Sequence, residues 1–296
     1  MHINRLNHDL AIEPSELIVT PAGAIYHLGL KPDDIANDII VVGDQNRVAR
    51  ISKYFDHIEC KIESREFVTH TGTYKGKRIT ALSTGIGADN LDIVINELDA
   101  LVNIDLETKK LKKELRSLNI IRLGTSGALQ EDIAVDSFVV SSHGLGFDGV
   151  MGFYDAKFDE DETSMEEELI KHTNWNKRYN HPYFVKGNSE LIERIGEGMT
   201  KGITITANGF YGPQGRVLAL SPREPDLNER LRTYIHSGNR ITNYEMETAA
   251  LFGLSAMLGH NACTVCAIIA NRYSKKYSKD YKKSVDELIQ IVLERI

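Results

Sequence analysis

Four short stretches carry side chains whose types and spacing suit chemistry on an anion and a planar heterocycle. In GFYGPQGR, residues 209–216, Gln214 and Arg216 stand two positions apart, just past a Gly-Pro pair. A glutamine amide pairs an acceptor with donors in one plane, and an arginine supplies donors only, so the two suit a ring edge that alternates acceptor, donor and acceptor. In VVGDQNRVARI, residues 41–51, an apolar run ends at Gly43, and a polar turn brings Arg47 and backbone amides to a helix start. Anions are received at such places. In IIRLGTSGAL, residues 120–129, Arg122 interrupts an apolar strand pattern and Gly-Thr-Ser-Gly follows, with the hydroxyl of Thr125 and close backbone approach as a phosphate-like cradle. In ITNYEMETAALFGLSAMLG, residues 241–259, Thr242 and Glu245 have capping-box spacing, which explains Glu245 as helix-end chemistry. Glu247 has no such explanation, and its two oxygens can accept both protons of a vicinal diol.

Taken singly, each fragment has a plainer reading. Arg47 can sit on the surface of an ordinary strand-to-helix turn, and Arg122 can be a structural arginine paired with a carboxylate. Glu247 can be an exposed first-turn glutamate favoured by the helix dipole. The Gly-Pro stretch can be a solvent-facing turn.

The elements that must position these residues are legible from periodicity. Short runs rich in β-branched residues, DIIVVG (38–43), NIIRLG (119–124), SFVVSS (137–142), GITITA (202–207) and CTVCAIIA (263–270), read as strands buried on both faces. Helical patterns fall between them at 46–56, 89–103, 188–199, 224–236, 245–258 and 279–295. That alternation predicts an α/β protein, a three-layer α/β/α sandwich around a central mixed, largely parallel sheet, formed by residues 1–296 as one domain. EFVTHTGTYKGKRITALSTG predicts a hairpin turning at residues 74–77. ETKKLKKELRS (107–117) reads as a charged surface helix, and DEDETSMEEE (159–168) as a solvated or mobile insertion. SPREPDLNERLRTYIHSG (221–238) is expected to close over a pocket.

Bulk properties bound the ligands. The 296 residues are 42% hydrophobic and 26% charged, with a net charge of -7, which disfavours nucleic acid as a partner while leaving room for a small anion. Three cysteines are too few for a disulfide framework or a four-cysteine zinc site. Cys263 and Cys266, three apart in a strand pattern, point to opposite faces and read as core thiols. Glu13 and Glu16 break up the early apolar pieces, and no run approaches a membrane span, so a cytoplasmic protein without membrane contact is expected.

In order along the chain, VGDQNR, the Arg65 of ESREF, STGIG, IRLGTSGAL, FYGPQGR and NYEMETAALFGL together resemble the nucleoside phosphorylases, and more closely the uridine phosphorylases. The resemblance covers nearly the whole chain. It implies reversible phosphorolysis of uridine to uracil and ribose 1-phosphate, no organic cofactor, and a homodimer as the smallest working unit, with a hexamer open. Gly43, Arg47, Arg122 and Thr125 match the phosphate-binding positions, and Arg65 matches an arginine donated by the neighbouring subunit. Met246 and Glu247 match the ribose-binding pair, and His27 matches the neighbour's histidine near the 5′ hydroxyl. Gln214 and Arg216 match the pair that reads the uracil edge, beside Phe210 and with Thr125 in reach of the nucleoside. Arg122, Arg216, Gln214 and Glu247 are then the catalytic set. Some bacterial relatives hold a monovalent cation between subunits at positions matching Glu66, Ile86 and Asn90.

This chain departs from the family in having Gln45 where proline is common and Ala88-Asp89-Asn90 where Gly-Pro-Ser is common. Three rivals remain at this level. A purine nucleoside phosphorylase shares the phosphate and ribose sites, but purine-specific relatives place an aspartate where this chain reads Ala270-Asn271-Arg272. A nucleosidase that uses water does not need three arginines. A non-catalytic nucleoside-binding protein would hold uridine without turning it over.

Overall fold

The run Asp38–Val42 alternates strictly between two cores. Ile39 and Val41 face one cluster and Ile40 and Val42 another, as the two-residue period of a strand requires. The computed structural model describes residues 10–296. In chain order its elements begin with β1 (Asp38–Val42), α1 (Asn46–Ser52), β2 (His57–Ser64), β3 (Phe67–Tyr74), β4 (Lys77–Ser83) and α2 (Ala88–Asn103). There follow β5 (Ile104–Asp105), β6 (Lys110–Leu111), β7 (Asn119–Ala128), β8 (Phe138–Gly146), α3 (Glu160–Thr173), β9 (Tyr183–Lys186), α4 (Ser189–Ile195) and β10 (Thr200–Thr206). The chain ends through α5 (Leu227–Arg232), β11 (Ile235–His236), β12 (Asn239–Glu245), α6 (Thr248–Met257), β13 (Asn261–Asn271), β14 (Lys276–Tyr277) and α7 (Tyr281–Arg295).

A mixed sheet lies between helical layers, as the alternation predicted. The central pairings, β13 with β7, β7 with β1 and β1 with β4, are parallel, and the β2–β3–β4 rim is antiparallel. Apolar residues of α2 and α6 cover one face, and those of α1, α4 and α7 cover the other. The β3–β4 hairpin turns where expected, with Lys75 and Gly76 at positive φ. One feature exceeds a flat sandwich. β12 pairs in parallel with β10 and antiparallel with β7, so β7, β13, β8, β10 and β12 close into a ring. Bulges in β10 and β13 supply the bending.

Three expectations are corrected. Residues 107–117 contain no helix: Asp105 accepts the backbone N–H of Glu107 and Thr108, and Lys109 takes positive φ, so a tight turn joins β5 to β6 despite the lysine-rich composition. The acidic run is an ordered helix, α3, capped reciprocally by Asp159 and Glu162 and anchored by buried Met165 and Leu169. The helix expected from residue 245 starts at Thr248, because Asn239–Glu245 is the ring-closing strand and Thr242 donates to Ile203 O instead of capping. Within 221–238, α5 is held by buried Leu231 and by Arg230, which binds Glu224 and the carbonyl of Thr173. That part is anchored, and the exposed apolar stretch lies earlier, at Val217, Leu218 and Leu220. Cys263 and Cys266 are buried free thiols, as their spacing predicted, and burial pushes them up to about 12 and about 11.

Candidate active site

The carboxyl ends of β1, β7 and β12 and the start of α6 surround a cavity of about 430 Å³. Gly43, Arg47, Arg122 and Thr125 line it, as do Met246 and Glu247, and so do Phe210, Gln214 and Arg216. A larger cavity of about 650 Å³ adjoins it behind Arg216, walled by Phe147, Trp175, Tyr211 and the 218–222 loop. None of the Arg122 group reaches it, so the converging charges belong to the smaller one.

Arg122 extends from β7, whose strand continues through the whole GTSG run rather than ending in a loop. Gly124 makes that possible, since a Cβ there would collide with the Arg122 guanidinium. Arg122 Nη2 donates to Glu247 Oε2 and lies 3.3 Å from Glu245 Oε2. Burial works against the charge of Arg122, but the Glu247 and Glu245 carboxylates outweigh it and hold its pKa above the ordinary arginine value. The structural reading and the functional one therefore coincide in this side chain. Arg47 donates to Leu123 O at 3.2 Å, and burial, then the nearby Arg122, lower its pKa. Two guanidiniums thus share a site that favours an incoming anion.

Glu247 is the residue just before α6, and both its oxygens are engaged. Oε1 accepts the backbone N–H of Gly87 at 2.9 Å, and Oε2 accepts that of Met246 at 3.2 Å in addition to Arg122. Gly87 has φ 104°, a conformation that glycine adopts without strain. A carboxylate carries about four lone-pair sites, so hydroxyl donors can still be accepted.

Gln214 is buried, with 3% of its surface exposed, in the turn that follows the Gly-Pro pair. Its Oε1 accepts from Arg216 Nη1 at 2.5 Å and from Arg272 Nη1 at 3.5 Å. Arg216 also donates to Phe210 O at 2.6 Å and lies 3.7 Å over the Phe210 ring. Burial, then repulsion from Arg272, lowers Arg216 to about 10. A planar polar wall backed by cationic charge results.

His27 and Arg65 do not reach this cavity. His27 Nδ1 bonds Glu97 Oε1 at 2.6 Å, and Arg65 is exposed, donating to the Tyr26 hydroxyl at 3.2 Å. Ser64 Oγ donates to His27 O, so the two form one surface group of their own. Of the positions matching a cation site, Asn90 donates its amide to Ile86 O at 3.3 Å, and the Glu66 side chain lies beside Gly85 near the same amide.

Sequence reasoning missed Arg272 as a site residue and explained Glu245 as a cap alone. An arginine at the end of an apolar strand is a weaker form of the signal that Arg122 gave from inside β7. Glu245 does accept the Thr248 and Glu247 backbone N–H groups, yet it also faces Arg122.

A sequence profile of the phosphorylase superfamily matches residues 38–296. A uridine phosphorylase from Thermococcus kodakarensis is 31% identical over 93% of this chain and 89% of its own length. A DeoD-type purine nucleoside phosphorylase from Clostridium perfringens is 30% identical over 82% of this chain and 85% of its own. Among solved structures, a Trypanosoma brucei nucleoside phosphorylase that shows uridine phosphorylase activity superposes with a TM-score of 0.84 at 31% identity, covering 94% of this chain and 98% of that one.

Proposed function

The chain belongs to the phosphorylase superfamily, and from that premise we propose that it is a uridine phosphorylase, transferring a ribosyl group reversibly between uracil and inorganic phosphate. The observation that carries the reading is the buried Gln214 amide, flanked by Arg216 and Arg272, in the same cavity as the Arg122–Glu247 pair. A uracil edge needs a donor for each carbonyl and an acceptor for N3–H, and this wall offers both.

Phosphate docks on Arg47, Arg122 and the Thr125 hydroxyl, and Arg122 gives up part of its contact with Glu247 to do so. Glu247 then takes the 2′ and 3′ hydroxyls of the ribose, beside Met246. As the bond from C1′ to N1 breaks, positive charge on the ribosyl ring faces the phosphate, and negative charge spreads to the uracil oxygens, where Arg216 and the Gln214 amide meet it. The phosphate oxygen closes the new bond to C1′. No side chain need transfer a proton in that step, so the acceleration is electrostatic. His27 and Arg65, set apart from their own cavity, complete that of a second copy in a homodimer.

A pyrimidine is favoured over a purine by β13. Ala270 lines the cavity, while the Asn271 side chain turns away to Gln130 O and Ile133 O, both at 2.8 Å, so β13 presents no carboxylate there. The test is an assay of uridine, thymidine, inosine and adenosine with and without phosphate. Uracil release that requires phosphate supports the proposal. Cleavage without phosphate indicates a nucleosidase, preference for inosine or adenosine a purine phosphorylase, and tight uridine binding without turnover a binding protein.

A further inference from the structure

Glu245 lines the same cavity beside Arg122, at the junction of β12 and α6. Its side chain is 1% exposed. The carboxylate accepts the backbone N–H groups of Glu247 at 2.9 Å and Thr248 at 3.0 Å and the Thr206 hydroxyl at 2.8 Å, while Arg122 Nη2 lies 3.3 Å away. Capping a helix needs only an acceptor, which a neutral side chain provides. A buried negative charge costs free energy unless a cation answers it, so the charge of Glu245 calls for a separate account. Glu247 cannot serve as the lasting partner of Arg122, because in the proposed reaction its oxygens go to the ribose hydroxyls.

We propose that Glu245 is a positioning residue that sets the strength of anion binding, a fixed counter-charge that keeps hold of Arg122 when Glu247 is given over to ribose. The inference rests on the reading of this cavity as a phosphate site. Two largely buried arginines, Arg47 and Arg122, grip a dianion strongly, and a product that carries the same phosphoryl group must also leave. Glu245 offsets one of those cations without occupying the space the anion needs. Its four contacts fix it in place through the cycle, which separates it from Glu247, whose partners exchange.

The groups facing Glu245 are few. Arg122 comes from β7, Glu247 from the start of α6, Thr206 from β10, Cys266 from β13 and Tyr183 from β9. Burial pushes the Glu245 carboxyl upward against the opposing pull of Arg122, and Glu247 adds to the rise. Cys266 is pushed up to about 11 and Tyr183 well above the ordinary tyrosine value, so neither titrates near neutrality. Among the described residues no histidine of the same copy lines the cavity, and the partner's His27, which the proposed homodimer brings to it, is present equally in wild type and in Glu245→Gln.

Sulfate tests this cleanly, because it binds as phosphate does, stays a dianion across neutral pH and does not react. Calorimetric titration of the full chain with sulfate, beside steady-state kinetics with phosphate and uridine, compares wild type with Glu245→Gln and Glu245→Asp. Glu245→Gln should bind sulfate roughly ten-fold more tightly, the scale expected from removing one charge near a poorly screened anion. Its KM for phosphate and its kcat should both fall, and Glu245→Asp should restore the wild-type balance. In wild type, sulfate should bind more tightly as the pH falls from about 8 to about 6, and that slope should flatten in Glu245→Gln. A purely structural role gives the opposite: weaker binding in Glu245→Gln, and no charge-dependent recovery. Weaker or unchanged sulfate affinity in a folded Glu245→Gln, or a flat wild-type profile if that variant does not fold, overturns the proposal. Wild type that binds neither sulfate nor phosphate overturns the phosphorylase reading itself.

Discussion

Arg122 and Glu247 are paired at the floor of the cavity with side chains only 7% and 4% exposed, although they come from positions far apart in the chain. In the proposed reaction each holds the group that the other needs for its ligand. On the proposed reading, binding of an anion to Arg122 and of hydroxyls to Glu247 loosens the same contact, so the two ligands should reinforce one another.

Removing Arg122 alone leaves Glu245 and Glu247 buried and facing each other. Arg122→Met should destabilise the fold by about 3–5 kcal/mol, the usual cost of orphaning a buried charge. Adding Glu247→Gln should recover part of that loss. Urea unfolding of the single and double variants measures it, and additive losses would show that the pair is not coupled.

Arg216→Ala should lower kcat/KM for uridine by roughly two to three powers of ten, from about 3–4 kcal/mol of lost charge stabilisation on the departing base. Near-normal turnover would remove Arg216 from the mechanism.

Arg272 reaches Gln214 at 3.5 Å and does not itself line the cavity. Its loss should loosen the amide rather than the chemistry. Arg272→Ala is expected to raise KM for uridine roughly ten-fold, about the value of one charge-assisted hydrogen bond, with kcat within a few-fold of wild type. A collapse in kcat at unchanged KM would contradict this.

The homodimer proposal makes a stoichiometric prediction. Arg65→Ala and Arg122→Ala should each be nearly inactive alone. Mixed by unfolding and refolding together, they form heterodimers in which one site is intact and the other doubly defective. Random pairing gives about a quarter of wild-type activity. Activity no greater than the mean of the parents would place Arg65 in its own chain's site or outside any site.

His236 offers a check on the fold away from the cavity. Nδ1 bonds Glu168 at 2.8 Å and Nε2 meets Asp161 at 3.2 Å. The Glu168 bond raises its pKa, burial opposes that, and Asp161 adds to the rise. The charged ring is thus favoured in the folded state. Its contribution is complete below the ordinary histidine value of about 6.5 and is lost as pH rises through the raised one. The gap in Tm between wild type and His236→Gln should be widest in acid and close in alkali; a gap that widens with pH would reverse the assignment.

Much of this was legible in the sequence for identifiable reasons. β1, β7 and β13 are buried on both faces, so they are written as largely apolar runs, broken in β7 at Arg122. Arg122 was conspicuous because an arginine in such a run demands a partner. β12 was not legible, because it is buried through polar side chains: Asn243 donates to Ser126 Oγ and accepts from Thr204 Oγ1, and Thr242 donates to a backbone carbonyl. Polar residues that satisfy one another inside a ring look like loop residues in one dimension. The same holds for Glu245, whose spacing to Thr242 imitated a cap box while its charge answered an arginine more than a hundred positions earlier. The acidic run of α3 hid its apolar stripe in the same way.

The ring described above closes where Asn243 and Tyr244 meet Ala128 and Gly127. Those partners are separated by more than a hundred residues, and contacts of such range form slowly because a long loop must first be ordered. The strand that completes the circle leads straight into Glu245, Met246 and Glu247, while its partner carries Arg122 and Thr125. Maturation of the proposed catalytic machinery is thereby tied to a long-range step of folding. Under the proposed function the diol site at Glu247 waits on this closure, and recovery of activity after denaturation should track closure of the circle rather than the earlier return of helix.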